Sequence, residues 1–241
     1  MRKYLRYGIL LVILLAFGYG YWWLRPQPVM DEARLALQSD EQVRVVENRF
    51  LKFQPAQAPK STGLILYPGG LVPAAAYAPL ARQLAELGYP VWLVPMPLNL
   101  AILGSGRAEE IMAAHPQVKQ WVLAGHSLGG AMAARYAFDH PGTLAGLVLL
   151  AGYPAASQPL TYSSLPVLSV YASEDGLATP AKIMEYASRL PEHTIFVELA
   201  GGNHAQFGWY GPQAGDGAAT ITREKQQQNL LAVLQVFLNS L

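Results

Sequence analysis

The run Gly125-His-Ser-Leu-Gly129 follows the apolar stretch Trp121-Val-Leu-Ala and leads into the small-residue stretch Leu128-Gly-Gly-Ala-Met-Ala-Ala-Arg-Tyr-Ala. A strand that turns sharply into a helix presents the serine hydroxyl at the carboxyl edge of a sheet. Glycine on both sides removes the Cβ atoms that would collide across that turn. Ser127 also stands at the start of a helix, where free N–H groups and the dipole favour developing negative charge. These features read as a nucleophile elbow; the plainer alternative is an ordinary N-cap serine.

A serine hydroxyl needs a base, and the base needs an orienting carboxylate, in the chain order Ser, acid, His. Among the five histidines, His115 and His140 sit before prolines at the wrong sheet edge, and His193 stands at the amino end of a predicted strand. His126 lies inside the elbow and points away from Ser127 as its sequence neighbour. His204, in Gly201-Gly-Asn-His-Ala, comes just beyond a strand's carboxyl end and is the expected base. Asp175, in Ala172-Ser-Glu-Asp-Gly-Leu-Ala-Thr-Pro, follows a strand at the same edge as Ser127 and is the expected acid. Glu174 is its competitor, whereas Asp216 follows His204 and breaks the order. The oxyanion of a tetrahedral intermediate would take one N–H from Leu128 and one from the loop Tyr67-Pro-Gly-Gly-Leu-Val, with Gly70 preferred and Leu71 the alternative.

Those loops need a framework. Short, almost wholly apolar runs at Gly63–Tyr67, Val91–Pro95, Trp121–Ala124, Leu147–Ala151, Val167–Tyr171 and Thr194–Leu199 predict strands covered on both faces. Helices are expected between them, at Ala75–Leu87, Arg107–Ala114, Ser127–Asp139, Pro180–Arg189 and Arg223–Leu238. Alternation at Val43–Glu47 and Phe50–Phe53 adds two antiparallel strands. The fold class is therefore α/β, a mostly parallel central sheet of about eight strands flanked by helices.

The 241 residues carry a net charge of +1, 14% charged side chains, 52% apolar residues and a mean hydropathy of +0.19, which disfavours a disordered or nucleic-acid-coating chain. Three of the 17 basic and none of the 16 acidic side chains fall in residues 1–24, leaving a body of 14 basic and 16 acidic groups, net −2. With no cysteine, a disulfide scaffold, a catalytic thiol and thiolate metal sites are excluded. From Gly8 to Leu24 the chain holds 14 apolar residues in 17, enough helix for roughly 25 Å, with Arg2, Lys3 and Arg6 before it and Tyr21, Trp22 and Trp23 at its end. It reads as a signal anchor that places the body outside the cytoplasm. A cleaved signal peptide, cut near Gly18 or Gly20, would export the body equally. The expected organisation is 1–25 anchor or signal peptide, 26–42 linker and 43–241 catalytic domain.

Elbow, chain order and glycine-rich loop together resemble the α/β-hydrolase superfamily over about residues 43–241. More narrowly, Gly69-Gly-Leu-Val, Pro95-Met-Pro-Leu-Asn-Leu, Gly125-His-Ser-Leu-Gly-Gly-Ala and Gly201-Gly-Asn-His-Ala-Gln-Phe-Gly-Trp-Tyr-Gly-Pro-Gln look like small hydrolases of the dienelactone-hydrolase branch. Dienelactone hydrolases proper carry cysteine where Ser127 stands, so the resemblance implies ordinary ester chemistry without metal or organic cofactor. Gly152–Leu165 is too short for a helical cap, and the site is expected to be open. Its walls are expected from Leu71, Val72, the 95–100 loop and the segment 204–220; the alternative for the last is a loop packed on itself that holds His204. The leading expectation is a serine hydrolase acting on a small carboxylic ester and tethered to a membrane through the N-terminal helix. A catalytically silent membrane-tethered module is the second reading; no nucleic-acid partner is implied.

Overall fold

The computed structural model describes residues 24–241 together with Gly18 and Gly20. The anchor or signal-peptide reading of residues 1–25 falls almost wholly outside these residues. Among the described residues, no helix is long and apolar enough to cross a membrane.

Eight strands form one sheet: β1 (Val43–Glu47), β2 (Leu51–Pro55), β3 (Thr62–Tyr67), β4 (Val91–Leu93), β5 (Gln120–His126), β6 (Gly146–Leu150), β7 (Val167–Ala172) and β8 (Ile195–Leu199). Their order is β1-β2-β4-β3-β5-β6-β7-β8. The first two strands pair antiparallel and β2 joins β4 antiparallel; every later pairing is parallel. This is the α/β-hydrolase arrangement expected above. The helices are α1 (Asp31–Leu35), α2 (Ala78–Glu86), α3 (Arg107–Ala114), α4 (Leu128–Asp139), α5 (Pro180–Glu185) and α6 (Arg223–Asn239).

Side chains of a strand alternate between faces, and both faces of this sheet are covered. Leu64 and Leu66 of β3 pack in one core with Leu80 and Leu84 of α2 and Leu230 and Leu234 of α6. Ile65 and Tyr67 enter the other, with Ile111 of α3 and Met132, Ala133 and Tyr136 of α4. Two covered faces are why the central strands read as unbroken apolar runs. The predicted helix over 75–87 is instead a 3₁₀ turn, Ala74–Tyr77, followed by α2, with proline in the first turn of the α-helix. The predicted helix over 180–189 likewise ends at Glu185 and continues as a 3₁₀ turn, Ala187–Arg189.

Strand β3 has parallel neighbours on both sides, β4 and β5, so the loops leaving β3 and β5 diverge at the sheet's carboxyl edge. Such a switch point opens a crevice there. No large cap covers it, since 152–165 contains neither helix nor strand.

Candidate active site

Ser127 sits between β5 and α4 with φ 52° and ψ −118°, a conformation that a non-glycine residue adopts at a cost of about 1–2 kcal/mol. The surroundings enforce it. Ser127 N–H donates to the Leu150 carbonyl at 2.9 Å, and its own carbonyl accepts from Ala131 N–H at 3.1 Å. The backbone passes so close that a Cβ on Gly125 would lie 2.3 Å from the Gly129 carbonyl oxygen. One on Gly129 would lie 2.3 Å from that of Tyr67. Both glycines of the motif are thus required by close approach of main chain to main chain.

His204 and Asp175 form a buried pair. His204 Nδ1 donates to Asp175 Oδ2 at 2.7 Å, and Asp175 Oδ1 accepts the N–H groups of Leu177 at 2.8 Å and Ala178 at 2.7 Å. A carboxylate held by two main-chain donors accepts the third bond from His204, so Nδ1 carries a proton and Nε2 is left for another partner. That Nε2 atom is buried and has no protein partner among the described residues. Glu174, the competing acid, takes a bond from the Ser173 hydroxyl at 2.9 Å and does not reach His204.

Ser127 and His204 are walls of the same cleft of about 290 Å³, together with Leu128, Ala131, Gly152, Tyr153 and Leu177. No hydrogen bond joins Ser127 Oγ to His204 in this structure; the shared cleft brings them together. The expected walls differ here. Leu71, Val72, the 95–100 loop and residues 205–220 are not among the residues that line this cleft, and Phe207, Trp209 and Tyr210 are buried. Segment 204–220 is therefore the self-packed loop, the alternative reading of it.

In the loop after β3, Leu71 N–H donates to the Asn99 carbonyl at 2.8 Å and is consumed. The N–H groups of Gly70 and Leu128 have no protein acceptor among the described residues. The two residues adjoin, since a Cβ on Gly70 would stand 3.4 Å from Leu128 Cδ2.

The sequence profile of the alpha/beta hydrolase family matches residues 63–228, more than half of the chain. The chain belongs to the alpha/beta hydrolase family. No curated protein matches it. Among solved structures it is similar to a predicted CIB-like hydrolase from Thermoplasma acidophilum, with TM-score 0.64 and 15% identity over 83% of this chain and 98% of that one. It is also similar to a bacterial membrane phospholipase A, with TM-score 0.63 and 15% identity over 98% of each chain. A monoacylglycerol lipase from Paleococcus ferrophilus aligns with TM-score 0.60 and 15% identity over 81% of this chain and 99% of the lipase.

In this alpha/beta hydrolase the loop carrying His204 is gripped by residues to which the sequence assigned no such role. Asp216 accepts N–H groups from Gly176 at 3.3 Å, His204 at 3.1 Å, Ala205 at 2.8 Å and Gly217 at 2.8 Å, tying the two loops of the Asp175–His204 pair together. From the first turn of α6, Gln226 holds Asn203 through both main-chain groups at 2.9 Å. Arg223 donates to the carbonyls of Ala205 and Gly208. Gln227 donates to the Gln206 carbonyl at 2.6 Å. Among the described residues no cluster suited to a metal ion occurs.

Proposed function

We propose that this alpha/beta hydrolase is a serine hydrolase that cleaves carboxylic esters through Ser127, His204 and Asp175. The observation that carries the reading is the buried Nε2 of His204, without a protein partner, sharing a cleft with a serine held in a strained elbow. Ser127 Oγ attacks the carbonyl carbon as its proton passes to His204 Nε2, and Asp175 orients and stabilises the imidazolium. The N–H groups of Gly70 and Leu128 receive the oxyanion, Leu71 being already engaged. Collapse expels the alcohol, which takes its proton from His204. Water, deprotonated by the same imidazole, then frees the carboxylic acid and restores Ser127.

Structural similarity to a lipase and a phospholipase agrees with ester chemistry. The motifs favour kinship with the small dienelactone-hydrolase-like group, with a catalytic domain over 43–241, a joining segment 26–42 and an export or anchor segment 1–25 that places the domain outside the cytoplasm. The test is covalent labelling with a fluorophosphonate: wild type is expected to label, and Ser127→Ala is not. An unlabelled wild type would instead indicate a binding module that keeps the fold without turnover.

A further inference from the structure

The chain that leaves the apolar N-terminal segment does not hang free of the site. Gln27 N–H donates to the Leu71 carbonyl at 2.8 Å, Met30 N–H donates to the Trp209 carbonyl at 3.0 Å, and Gly211 N–H donates to the Pro28 carbonyl at 3.2 Å. Val29 bridges Tyr210. The segment is thus fastened to the proposed oxyanion loop and to the loop after His204. Gly8–Leu24 ends three residues before Gln27, a reach of at most about 11 Å for extended chain. Leu24, the described end of that segment, therefore lies within that reach of the bond between Gln27 and Leu71 at the carboxyl edge of the sheet.

The same rim holds apolar side chains in water. Leu98, Ile102 and Leu103 are 62%, 54% and 54% exposed. They stand on two 3₁₀ turns, Pro97–Asn99 and Ala101–Leu103, the first bonded to the oxyanion loop through the Asn99 carbonyl. Leu98 and Asn99 have φ 51° and 54°. Leu98 keeps this left-handed conformation, at a cost of about 1–2 kcal/mol, with its side chain in water.

We propose that this rim is a membrane-docking surface: with Gly8–Leu24 in a bilayer, Leu98, Ile102 and Leu103 rest on the lipid and the Ser127 cleft opens toward acyl esters of membrane lipids. This rests on the ester-hydrolase reading for the substrate class, while the docking itself does not. Apolar side chains that insert at the headgroup boundary beside a spanning helix hold a face in place where the helix alone would leave it free to turn.

Because the chain has no cysteine, single labels are clean. The full-length protein in dioleoylphosphatidylcholine vesicles would carry an environment-sensitive fluorophore at Ile102→Cys, Leu103→Cys or Tyr162→Cys. Tyr162 is fully exposed and lies near the amino ends of β6 and β7, beside His140 and Pro166. Nitroxide-labelled lipid is expected to quench the labels at 102 and 103 several-fold more than the label at 162. Equal quenching, or a mature N-terminus cut near Gly18 or Gly20, would overturn the docking.

For the substrate, oleate release from dioleoylphosphatidylcholine vesicles, with and without added dioleoylglycerol, is measured against turnover of dissolved p-nitrophenyl butyrate. Ile102→Glu/Leu103→Glu, outside the cleft, is expected to lower oleate release at least tenfold and butyrate turnover less than twofold. A parallel fall in both, or no fall, would overturn the proposal. Wild type that labels with fluorophosphonate yet releases no oleate would overturn the lipid substrate alone, and wild type that does not label would overturn the hydrolase reading instead.

Discussion

Tyr77 Oη lies 2.8 Å from His126 Nδ1, deep beneath the cleft. The same hydroxyl accepts the N–H of Gly69 at 3.0 Å, so it joins the start of the loop after β3 to the His126 ring. The His126 ring is 4.5 Å from that of His204 and 5.4 Å from Phe207. One buried tyrosine and one buried histidine therefore connect the start of the proposed oxyanion loop to the floor under the proposed base.

Burial holds the His126 imidazole far below its ordinary titration range, and the neighbouring His204 pushes in the same direction. The unfolded chain takes up that proton near pH 6.5, whereas the folded chain stays neutral. The stabilising contribution is thus complete above pH 6.5 and is lost as the pH falls below it, by about 1.4 kcal/mol per pH unit for one proton. Urea unfolding at pH 7 and pH 5 is expected to show this increment. His126→Asn, which keeps a hydrogen-bonding partner for Tyr77, should lack it; an unchanged difference would place the acid sensitivity elsewhere.

The two neighbouring carboxylates of the β7 loop should behave oppositely. Asp175→Asn removes the charge that faces the His204 imidazolium and favours the wrong tautomer, so kcat on a p-nitrophenyl ester is expected to fall about 10³-fold or more. Glu174→Gln, which disturbs a bond to Ser173 only, should stay within about twofold. Comparable losses in both would refute the assignment of the acid.

The central strands were legible because a sheet covered on both faces leaves no polar alternation, and the elbow because glycine, serine and glycine fall between a strand and a helix. Chain order together with place at the carboxyl edge of the sheet nominated His204 and, with Glu174 as competitor, Asp175; a buried hydrogen bond joins Asp175 to His204. What sequence did not disclose are polar residues whose partners are main chain. Gln226 and Gln227 begin a helix in the polar run Arg-Glu-Lys-Gln-Gln-Gln, which reads as a solvated face, yet both are buried against residues 203–206. The cleft walls were misplaced for a related reason. Aromatic residues after His204 could line a pocket or brace a loop, and nothing in their spacing says which way Phe207 and Tyr210 turn.

Close main-chain packing at the elbow can be tested against a permissive glycine. A Cβ on Gly129 would meet two carbonyl oxygens, of Tyr67 at 2.3 Å and Pro68 at 2.4 Å, whereas one on Gly106 meets nothing within 4 Å. Gly129→Ala is expected to lose about 3 kcal/mol or more, or to fail to fold, because backbone rather than a flexible side chain must move. Gly106→Ala should remain within about 0.5 kcal/mol by urea unfolding. Normal stability of Gly129→Ala would show that the elbow relaxes more than its geometry allows.

Asp216 offers the sharpest test of how the His204 loop is held. Its two oxygens accept four N–H groups from residues on both sides of the Asp175–His204 pair, so truncation leaves main-chain donors without an acceptor while removing no proposed reacting group. Asp216→Ala is expected to lose roughly 2–4 kcal/mol of stability, at the scale of hydrogen bonds to a charged acceptor. It should also slow fluorophosphonate labelling of Ser127 more than tenfold, because His204 is then no longer fixed beneath the cleft. Asp216→Asn keeps one acceptor oxygen and should fall between. A loop that merely stabilised the fold would lose unfolding free energy at an unchanged labelling rate, and that outcome would separate holding His204 from holding the domain.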